Sequence, residues 1–167
     1  MIFGINTLNY ERNDNMQLVE FRNKNVGSNG KVYNKNGKGV NTGRLITGSE
    51  CATHYDGDWF ERIAIVDENG KRKSVRVKDV VWQAFNGKIP RKYVVFPIDR
   101  RKNNTELSNL CLIRKQDEYK FYFVSSNVYK KRMKSMYNID VKNEFGTQYQ
   151  QGFSMKKRNH EGANYYN

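Results

Sequence analysis

The stretch VKDVVWQAFNGKIPRKYVVFPIDRRKNNTELSNLCLI, Val77 to Ile113, decides most of the fold of this protein. Its first part spaces apolar residues three and four apart and ends at Gly87, which predicts an amphipathic helix stopped by a glycine. Pro90 then favours an extended exit from that helix. Two apolar runs, Tyr93 to Phe96 and Asn109 to Ile113, predict strands on either side of a polar loop. The stretch therefore predicts a helix, a strand, a long loop and a second strand.

The sequence before this stretch predicts a β-rich lobe. Trp59 to Val66 is apolar and β-branched, the following DENG favours a tight turn, and Lys73 to Val77 alternates basic with apolar residues. Together these three segments predict a hairpin. Val26 to Gly39 is dense in glycine and asparagine, which predicts loops around a short strand at Lys31 to Asn34.

The sequence after the stretch predicts a helical arm. One or two helices are expected from Arg114 onward, and the tail after Asn143 is rich in Gly, Gln, Asn and Tyr, as in an arm that orders on a partner or stays disordered. We therefore expect an α+β protein. Its predicted parts are an antiparallel β-rich lobe with hairpin and short helix (1–90), a ββα finger (91–123), and a basic helical segment with a flexible tail (124–167).

Composition points to an anionic partner. The formal net charge is +13 and the sequence pI is about 9.7, and nucleic acid is the commonest partner of so basic a chain. No apolar run approaches membrane-spanning length, and the N-terminus lacks a signal-peptide core, so we expect no membrane partner and a cytoplasmic location. The Asn- and Lys-rich composition is compatible with a phage or mobile element in a bacterial host.

The cysteines and histidines argue against a zinc finger. Cys51 and Cys111 lie far apart and form no Cys-x-x-Cys pair, and only His54 and His160 accompany them. A structural zinc site usually takes four such ligands at close spacing. Reduced thiols are the simplest interpretation.

The motifs of the opening stretch resemble the HNH endonuclease family, in the subgroup of phage and intron homing endonucleases built on the ββα-metal finger. That subgroup runs His-Arg-Leu-Val, Ala-Phe-Asn-Gly-x-Ile-Pro, Val-x-His-Ile-Asp-Gly, an Asn-Asn doublet and Asn-Leu. The elements kept here, in the same order, are Val80-Val81, Ala84-Phe85-Asn86-Gly87, Ile89-Pro90, Val94-Val95, Ile98-Asp99, Asn103-Asn104 and Asn109-Leu110. The resemblance implies a DNA-cleaving, metal-dependent finger with a carboxylate and a histidine at the end of its first strand.

The resemblance breaks down at the positions that carry this chemistry. Phe96 and Pro97 stand where the metal-binding carboxylate and the general-base histidine are implied. Phenylalanine offers no lone pair to Mg²⁺, and proline cannot take a proton from water. Arg100 replaces the glycine of the motif, which predicts a changed turn. The helical metal ligand of the family falls near Asp117 and Glu118.

We therefore predict a finger that has lost catalysis and needs no metal or other cofactor. Asn109 is expected to tie the loop to the second strand, and Asp99 to organise the loop. Phe96 is expected to form a small core with Val94, Ile98, Leu110 and Leu112. The residual framework is predicted to comprise Asp99, Asn104, Asn109 and Glu118.

Basic residues in three segments predict contact with double-stranded DNA. A two-stranded ribbon fits the major groove, although alternation sends the hairpin side chains to both faces. Solvated surfaces are the alternative interpretation of the same charges. The predicted DNA-binding residues are Lys71, Arg72, Lys73, Arg76 and Lys78 on the hairpin, Arg100, Arg101 and Lys102 in the loop, and Lys130, Lys131 and Arg132 in the helical arm.

Three functions remain open at this point. The favoured one is a DNA-binding protein derived from an HNH homing endonuclease, acting without cleavage as a transcriptional regulator or site blocker. The second is an active Mg²⁺-dependent endonuclease or nickase with a rearranged site that uses Asp99, Asn109 and Glu118. The third is a phage-type factor that binds a host protein or a ribonucleoprotein.

Overall fold

The computed structural model describes residues 8–9, 16–35, 48–55 and 57–142. The predicted flexible tail, His160 and the part of the glycine- and asparagine-rich segment after Lys35 lie outside the described residues. Within them the chain forms three antiparallel sheets and three α-helices, so the expected α+β class is confirmed. None of the described helices is long and apolar enough to cross a membrane.

The first sheet has four strands in chain order. Its register places Val26 opposite both Val19 and Val32. All three side chains are buried, because neighbours at one register position share a face of the sheet. The strands are β1 (Leu8–Asn9), β2 (Gln17–Phe21), β3 (Lys24–Gly27) and β4 (Val32–Asn34).

The second sheet contains the predicted hairpin. It comprises β5 (His54–Tyr55), β6 (Glu61–Val66) and β7 (Arg72–Arg76). Asp67 organises the turn between β6 and β7, because its Oδ1 accepts hydrogen bonds from the backbone N–H groups of Asn69 and Lys71 at 2.8 and 2.9 Å. The hairpin prediction is confirmed.

Helix α1 (Val77–Asn86) follows β7 directly and lies at the centre of the fold. Gly87 ends it with a φ of 87°, a value that glycine adopts without strain, and its N–H donates to the carbonyl of Gln83. Three of its valines and Ala84 are buried in a central core with residues of all three sheets. The predicted helix and its glycine stop are confirmed.

The finger consists of β8 (Tyr93–Pro97), a loop ending in a 3₁₀ turn (Leu107–Asn109), β9 (Leu110–Arg114) and α2 (Lys115–Phe123). A further helix, α3 (Ser126–Tyr137), follows, and the Ser125 side chain accepts from the Val128 N–H at its start. From Arg114 onward the described residues therefore contain two helices, α2 in the finger and α3 after it.

The two faces of the finger sheet belong to different cores. On one face Val95, Leu110 and Leu112 pack into the central core. On the other face Phe96 lies in a second cluster, here called the aromatic core. The expected single core of the finger is thus wrong for the two leucines, because alternate residues of a strand point to opposite faces. The aromatic core consists of Phe60, Phe96, Cys111, Ile113, Phe121, Tyr122, Tyr129 and Met133.

Candidate functional site

A polar network holds the loop between β8 and β9 in place. The Oδ1 atom of Asn109 accepts from the Asp99 N–H at 3.0 Å, and its Nδ2 donates to Asp99 Oδ1 and to the Asn104 carbonyl, each at 3.0 Å. Asn104 Nδ2 in turn donates to Asp99 Oδ2 at 2.6 Å. The Arg101 N–H donates to Asp99 Oδ1 at 2.9 Å. Asn109 and Asp99 therefore have the structural roles expected of them.

Arg100 is unusual in both its backbone and its side chain. Its φ is 65°, in the left-handed region that glycine favours, and its N–H donates to the Pro97 carbonyl at 2.9 Å. The arginine therefore adopts a backbone conformation that a glycine would take without strain.

The guanidinium of Arg100 points into the protein rather than towards DNA. It donates to the carbonyls of Phe121 and Val124 at 3.0 and 2.7 Å and lies 4.5 Å from the centre of the Tyr129 ring. The residue is 0% exposed. Its predicted contact with phosphate is wrong, since the side chain instead joins the end of α2 to the start of α3.

The two positions implied for metal and base catalysis lie in the protein interior. Phe96 is 0% exposed, and its ring lies 4.7 Å from that of Tyr122 and 6.1 Å from those of Phe121 and Tyr129. Pro97 is also buried. The side chains at the end of β8 therefore offer neither a ligand for a cation nor a group that could activate water.

Three cations surround the ring of Phe60 next to this position. Arg76, Lys78 and Lys102 place their charged groups 4.0, 4.5 and 4.6 Å from the ring centre. Such contacts are favourable, because the face of an aromatic ring is negative. Phe60 itself packs edge-on against Tyr122 at 6.3 Å. Phe60, its three cations and Asp58 form what we call the Phe60 cluster. Asp58 belongs to it because its carbonyl accepts a hydrogen bond from Lys102.

Lys78 and Lys102 are inside the protein, so the prediction that they contact DNA from the surface is wrong. They are 2% and 4% exposed. Lys78 belongs to α1 rather than to the hairpin, and its Nζ donates to the Val95 carbonyl. Lys102 Nζ donates to the Asp58 carbonyl at 3.0 Å. Both cations reach the interior because long side chains can carry their charge to a distant backbone acceptor.

Burial lowers the pKa of both lysines, because an ammonium group loses hydration there. The pKa of Lys102 falls to about 7, although the negative charge of Asp58 partly opposes the shift. For Lys78 the opposing charge is chiefly that of Glu118, whose Oε2 lies 4.0 Å from the lysine Nζ.

Asp58 draws two arginines of the hairpin sheet inward. Its Oδ2 accepts from Nη2 of Arg62 and Nη2 of Arg76, both at 3.0 Å. Burial raises the pKa of this carboxyl, but the hydrogen bonds from the Phe60 N–H and the two arginines outweigh it, so the pKa lies below its usual value. Arg76 is therefore held within the protein surface and is only partly exposed.

The residues present do not fit the metal that the resemblance implies. Asp117 Oδ2 accepts from Arg114 Nε at 2.9 Å and from the Tyr137 hydroxyl at 2.7 Å, so this carboxylate already has partners. Glu118 Oε2 is buried beside the Lys78 ammonium without a hydrogen bond. In the described ranges no group of three or more His, Cys, Asp or Glu side chains is arranged to hold a metal ion. A divalent cation prefers several oxygen ligands.

The other predicted DNA-binding residues are exposed. The β6–β7 hairpin carries three of them, and Lys73 Nζ among these lies 3.0 Å from Asp67 Oδ2. The loop contributes one, and α3 contributes three on its outer face. These exposed residues are Lys71, Arg72, Lys73, Arg101, Lys130, Lys131 and Arg132.

One basic group was missed from the sequence. Lys88, Arg91 and Lys115 are exposed and line a cleft of about 510 Å³ between the start of α1, the start of β8 and the start of α2. We call it the cationic cleft. Lys88 and Arg91, the basic residues on either side of Ile89-Pro90, were the sequence signal for this group. Lys115 is distant in sequence and comes close to them only in the folded chain.

Comparison with known proteins finds one family model that matches part of the chain. Residues 75–119, from β7 into α2, match the family described as HNH endonuclease. A solved structure described as "DNA binding and cleavage by the HNH homing endonuclease I-HmuI" is similar at 19% identity and a TM-score of 0.44. The match covers 69% of this chain and 62% of that chain, so this chain spans less than two thirds of its length. No curated protein matches the sequence.

Proposed function

The finger of this chain is of the HNH endonuclease kind, and on that premise we propose that the protein binds double-stranded DNA without cutting it. It would act by occupying a site, as a transcriptional regulator or as a blocker of a site that a related nuclease cuts. The setting we propose is the cytoplasm of a bacterial host, with the protein encoded by a phage or mobile element.

The observation that carries the loss of cleavage is the burial of Phe96 and Pro97. Hydrolysis of a phosphodiester needs a group that takes a proton from water and a cation that stabilises the charge on phosphate. At the end of β8 both positions are apolar and closed to water. General-base catalysis alone typically contributes about 10² to 10⁴ in rate, so its loss is severe even before the metal is considered.

DNA binding is supported by positively charged side chains that are exposed to solvent. The chain carries +13 overall, and the hairpin turn presents Lys71 and Arg72 to solvent, with Arg101 exposed on the finger loop. Each phosphate that a cation neutralises releases counterions, which makes affinity depend on salt. A basic two-stranded ribbon also has the width that the major groove accepts.

The first test measures affinity for duplex DNA over a series of salt concentrations. The variant Lys71→Gln/Arg72→Gln should weaken binding and reduce the slope of log affinity against log salt by about 2, since each phosphate contact contributes about 0.9. Lys31→Gln is the matched control, because Lys31 is an exposed cation already paired with Glu50 at 3.3 Å. Duplex affinity that is absent or indifferent to salt would contradict the proposal and favour a protein or ribonucleoprotein partner.

The second test addresses cleavage. Plasmid incubated with the protein and Mg²⁺ or Mn²⁺ should stay supercoiled, because no metal-binding group or base is available at the end of β8. Metal-dependent nicking that disappears in Glu118→Gln would establish the rearranged nuclease instead. The glutamine keeps the shape of the side chain, so a circular dichroism melt can separate lost chemistry from lost folding.

A further inference from the structure

Two clefts meet at the side chain of Tyr93. The cationic cleft lies on one side of it, and a second cleft of about 350 Å³, lined also by Arg114, Met136 and Tyr137, lies on the other. Tyr93 is the first residue of β8 and is 38% exposed. It therefore forms a shared wall between two concave surfaces.

The first of these clefts is built to attract an anion. Three exposed cations line it together with Arg76 and Lys78, and Asp79 is the one carboxylate among the described residues that line it. Burial raises the pKa of Asp79, which favours its neutral form, while the nearby Lys78 opposes the shift. The remaining walls include Ile89, Pro90 and Val94, so the cleft combines a positive rim with an apolar surface.

The second cleft is walled by flat and apolar side chains. Tyr137 is fixed in place, because its hydroxyl donates to Asp117 Oδ2 at 2.7 Å and accepts from the Arg114 N–H at 3.0 Å. Met136 is 42% exposed beside it. Arg114 faces Tyr93 across the β8–β9 pair, and its Nε lies 2.9 Å from Asp117 Oδ2. A wall that is already ordered loses little entropy when a ligand packs on it.

From this arrangement we infer that the two clefts bind single-stranded nucleic acid, with a base stacked on Tyr93 and the backbone held by Lys88, Arg91 and Lys115. A basic groove combined with an aromatic platform is the arrangement that binds unpaired strands. In a duplex the faces of the bases are stacked on one another and cannot reach such a wall. Each cleft is also within or near the range of about 300 to 1,000 Å³ typical of small-ligand sites, enough for one nucleotide.

This site uses other residues than those that test the duplex-binding surface proposed above, although Arg76 also lines the cleft and Lys88 lies near Glu68 of the hairpin turn. It uses the α1–β8 connection and the helical arm, whereas the duplex proposal is tested at the hairpin turn. The two ideas therefore fail independently. A protein with both surfaces would hold a duplex and an adjoining unpaired strand at the same time.

The experiment compares two labelled probes by fluorescence anisotropy, a single strand of about twelve thymidines and a blunt duplex. Tyr93→Ala should weaken single-strand binding by about 10-fold, since one base stack contributes about 1–3 kcal/mol. Tyr93→Phe should retain the affinity, because it keeps the ring. Tyr55→Ala is the matched control, since Tyr55 is 54% exposed and lines neither cleft.

A second pair of substitutions tests the backbone contacts. Lys88→Gln/Arg91→Gln should reduce the salt slope for the single strand by about 1.4, at about 0.7 for each phosphate. Both side chains are exposed, so folding should be unaffected. The inference is overturned if the wild-type protein does not bind the thymidine strand, or if Tyr93→Ala binds it as well as Tyr55→Ala. Loss of duplex binding with intact single-strand binding would instead overturn only the proposed function.

Discussion

Two regions of the finger meet at Pro97 and have opposite character. The loop that follows it is polar and bonded to itself through Asp99, Asn104 and Asn109. The strand that Pro97 ends carries Phe96 inside a cluster of aromatic rings. The loop matches the pattern of a nuclease finger, and the end of the strand does not.

The difference separates residues that hold a fold from residues that act on a substrate. The hydrogen bonds of the loop have both partners within the protein, so they stabilise the finger whether or not DNA is cut. A metal-binding carboxylate or a catalytic histidine has its partners outside the protein, and burying such a group unpaired costs free energy. An apolar side chain at the same position contributes to the core.

The strongest test of this comparison is the substitution Phe96→Ala. It should lower the free energy of unfolding by about 3–5 kcal/mol, because it leaves a cavity among packed rings. Urea unfolding followed by circular dichroism measures this loss. Tyr119→Ala is the control, since Tyr119 is 47% exposed on α2. Equal losses in the two variants would show that the end of β8 is not part of a core.

The polar side of the comparison is tested by Asn109→Ala. This change removes three hydrogen bonds and leaves the Asp99 N–H and the Asn104 carbonyl without their partner. We expect a loss of about 2–3 kcal/mol in the free energy of unfolding. Asn103→Ala, an exposed neighbour on the same loop, should change it by less than about 0.5 kcal/mol. A similar cost for both would contradict the structural role of Asn109.

The buried cations make stability depend on pH. The pKa of Lys102 is about 7 in the folded protein and about 10.4 in an unfolded chain. Between these values the unfolded state keeps a proton that the folded state has released, so the free energy of unfolding rises with pH, by at most about 1.4 kcal/mol per pH unit from this residue. Lys102→Met should reduce that slope, measured by urea unfolding at several pH values between these limits.

Lys31→Met provides the comparison for the pH experiment, because it removes a lysine that is exposed rather than buried. Lys78 will still contribute in Lys102→Met, since burial lowers its pKa as well. An identical slope in wild type and Lys102→Met would mean that Lys102 is not desolvated.

The smallest expected effect concerns the turn that joins the two regions. Arg100→Ala and Arg100→Gly both lose the hydrogen bonds to the Phe121 and Val124 carbonyls. Only glycine removes the strain of a positive φ, so the glycine variant should be more stable than the alanine variant by about 1 kcal/mol. Thermal melts of the two variants side by side test this directly. A more stable alanine variant would contradict a left-handed conformation at this position.

Much of the finger could be predicted from the sequence. The apolar spacing before Gly87 gave the helix correctly, and the runs around the polar loop gave both strands, because such periodicities arise from local backbone geometry. The roles of Asp99 and Asn109 followed from a motif whose partners lie within ten residues of each other. The expectation of one finger core was wrong for Leu110 and Leu112, since it ignored which face of the strand each residue takes.

Which basic residues are buried and which are exposed could not be predicted from the sequence. In the sequence nothing distinguishes Lys78, Arg100 and Lys102 from the exposed basic residues beside them, yet all three are buried. Their acceptors come from other segments of the chain, including the carbonyls of Val95 and Asp58. A hydrogen bond between such distant segments leaves no pattern among neighbouring residues in the sequence.

By itself the sequence determined helix α1, the strands of the hairpin and of the finger, and the absence of a ligand or base in the side chains of Phe96 and Pro97. A side chain without lone pairs lacks that chemistry in any fold. Only the tertiary structure decided which cations remain on the surface. The cost of burying a charge is offset by partners that folding brings together from distant positions, and the same folding places Lys115 beside Lys88 and Arg91.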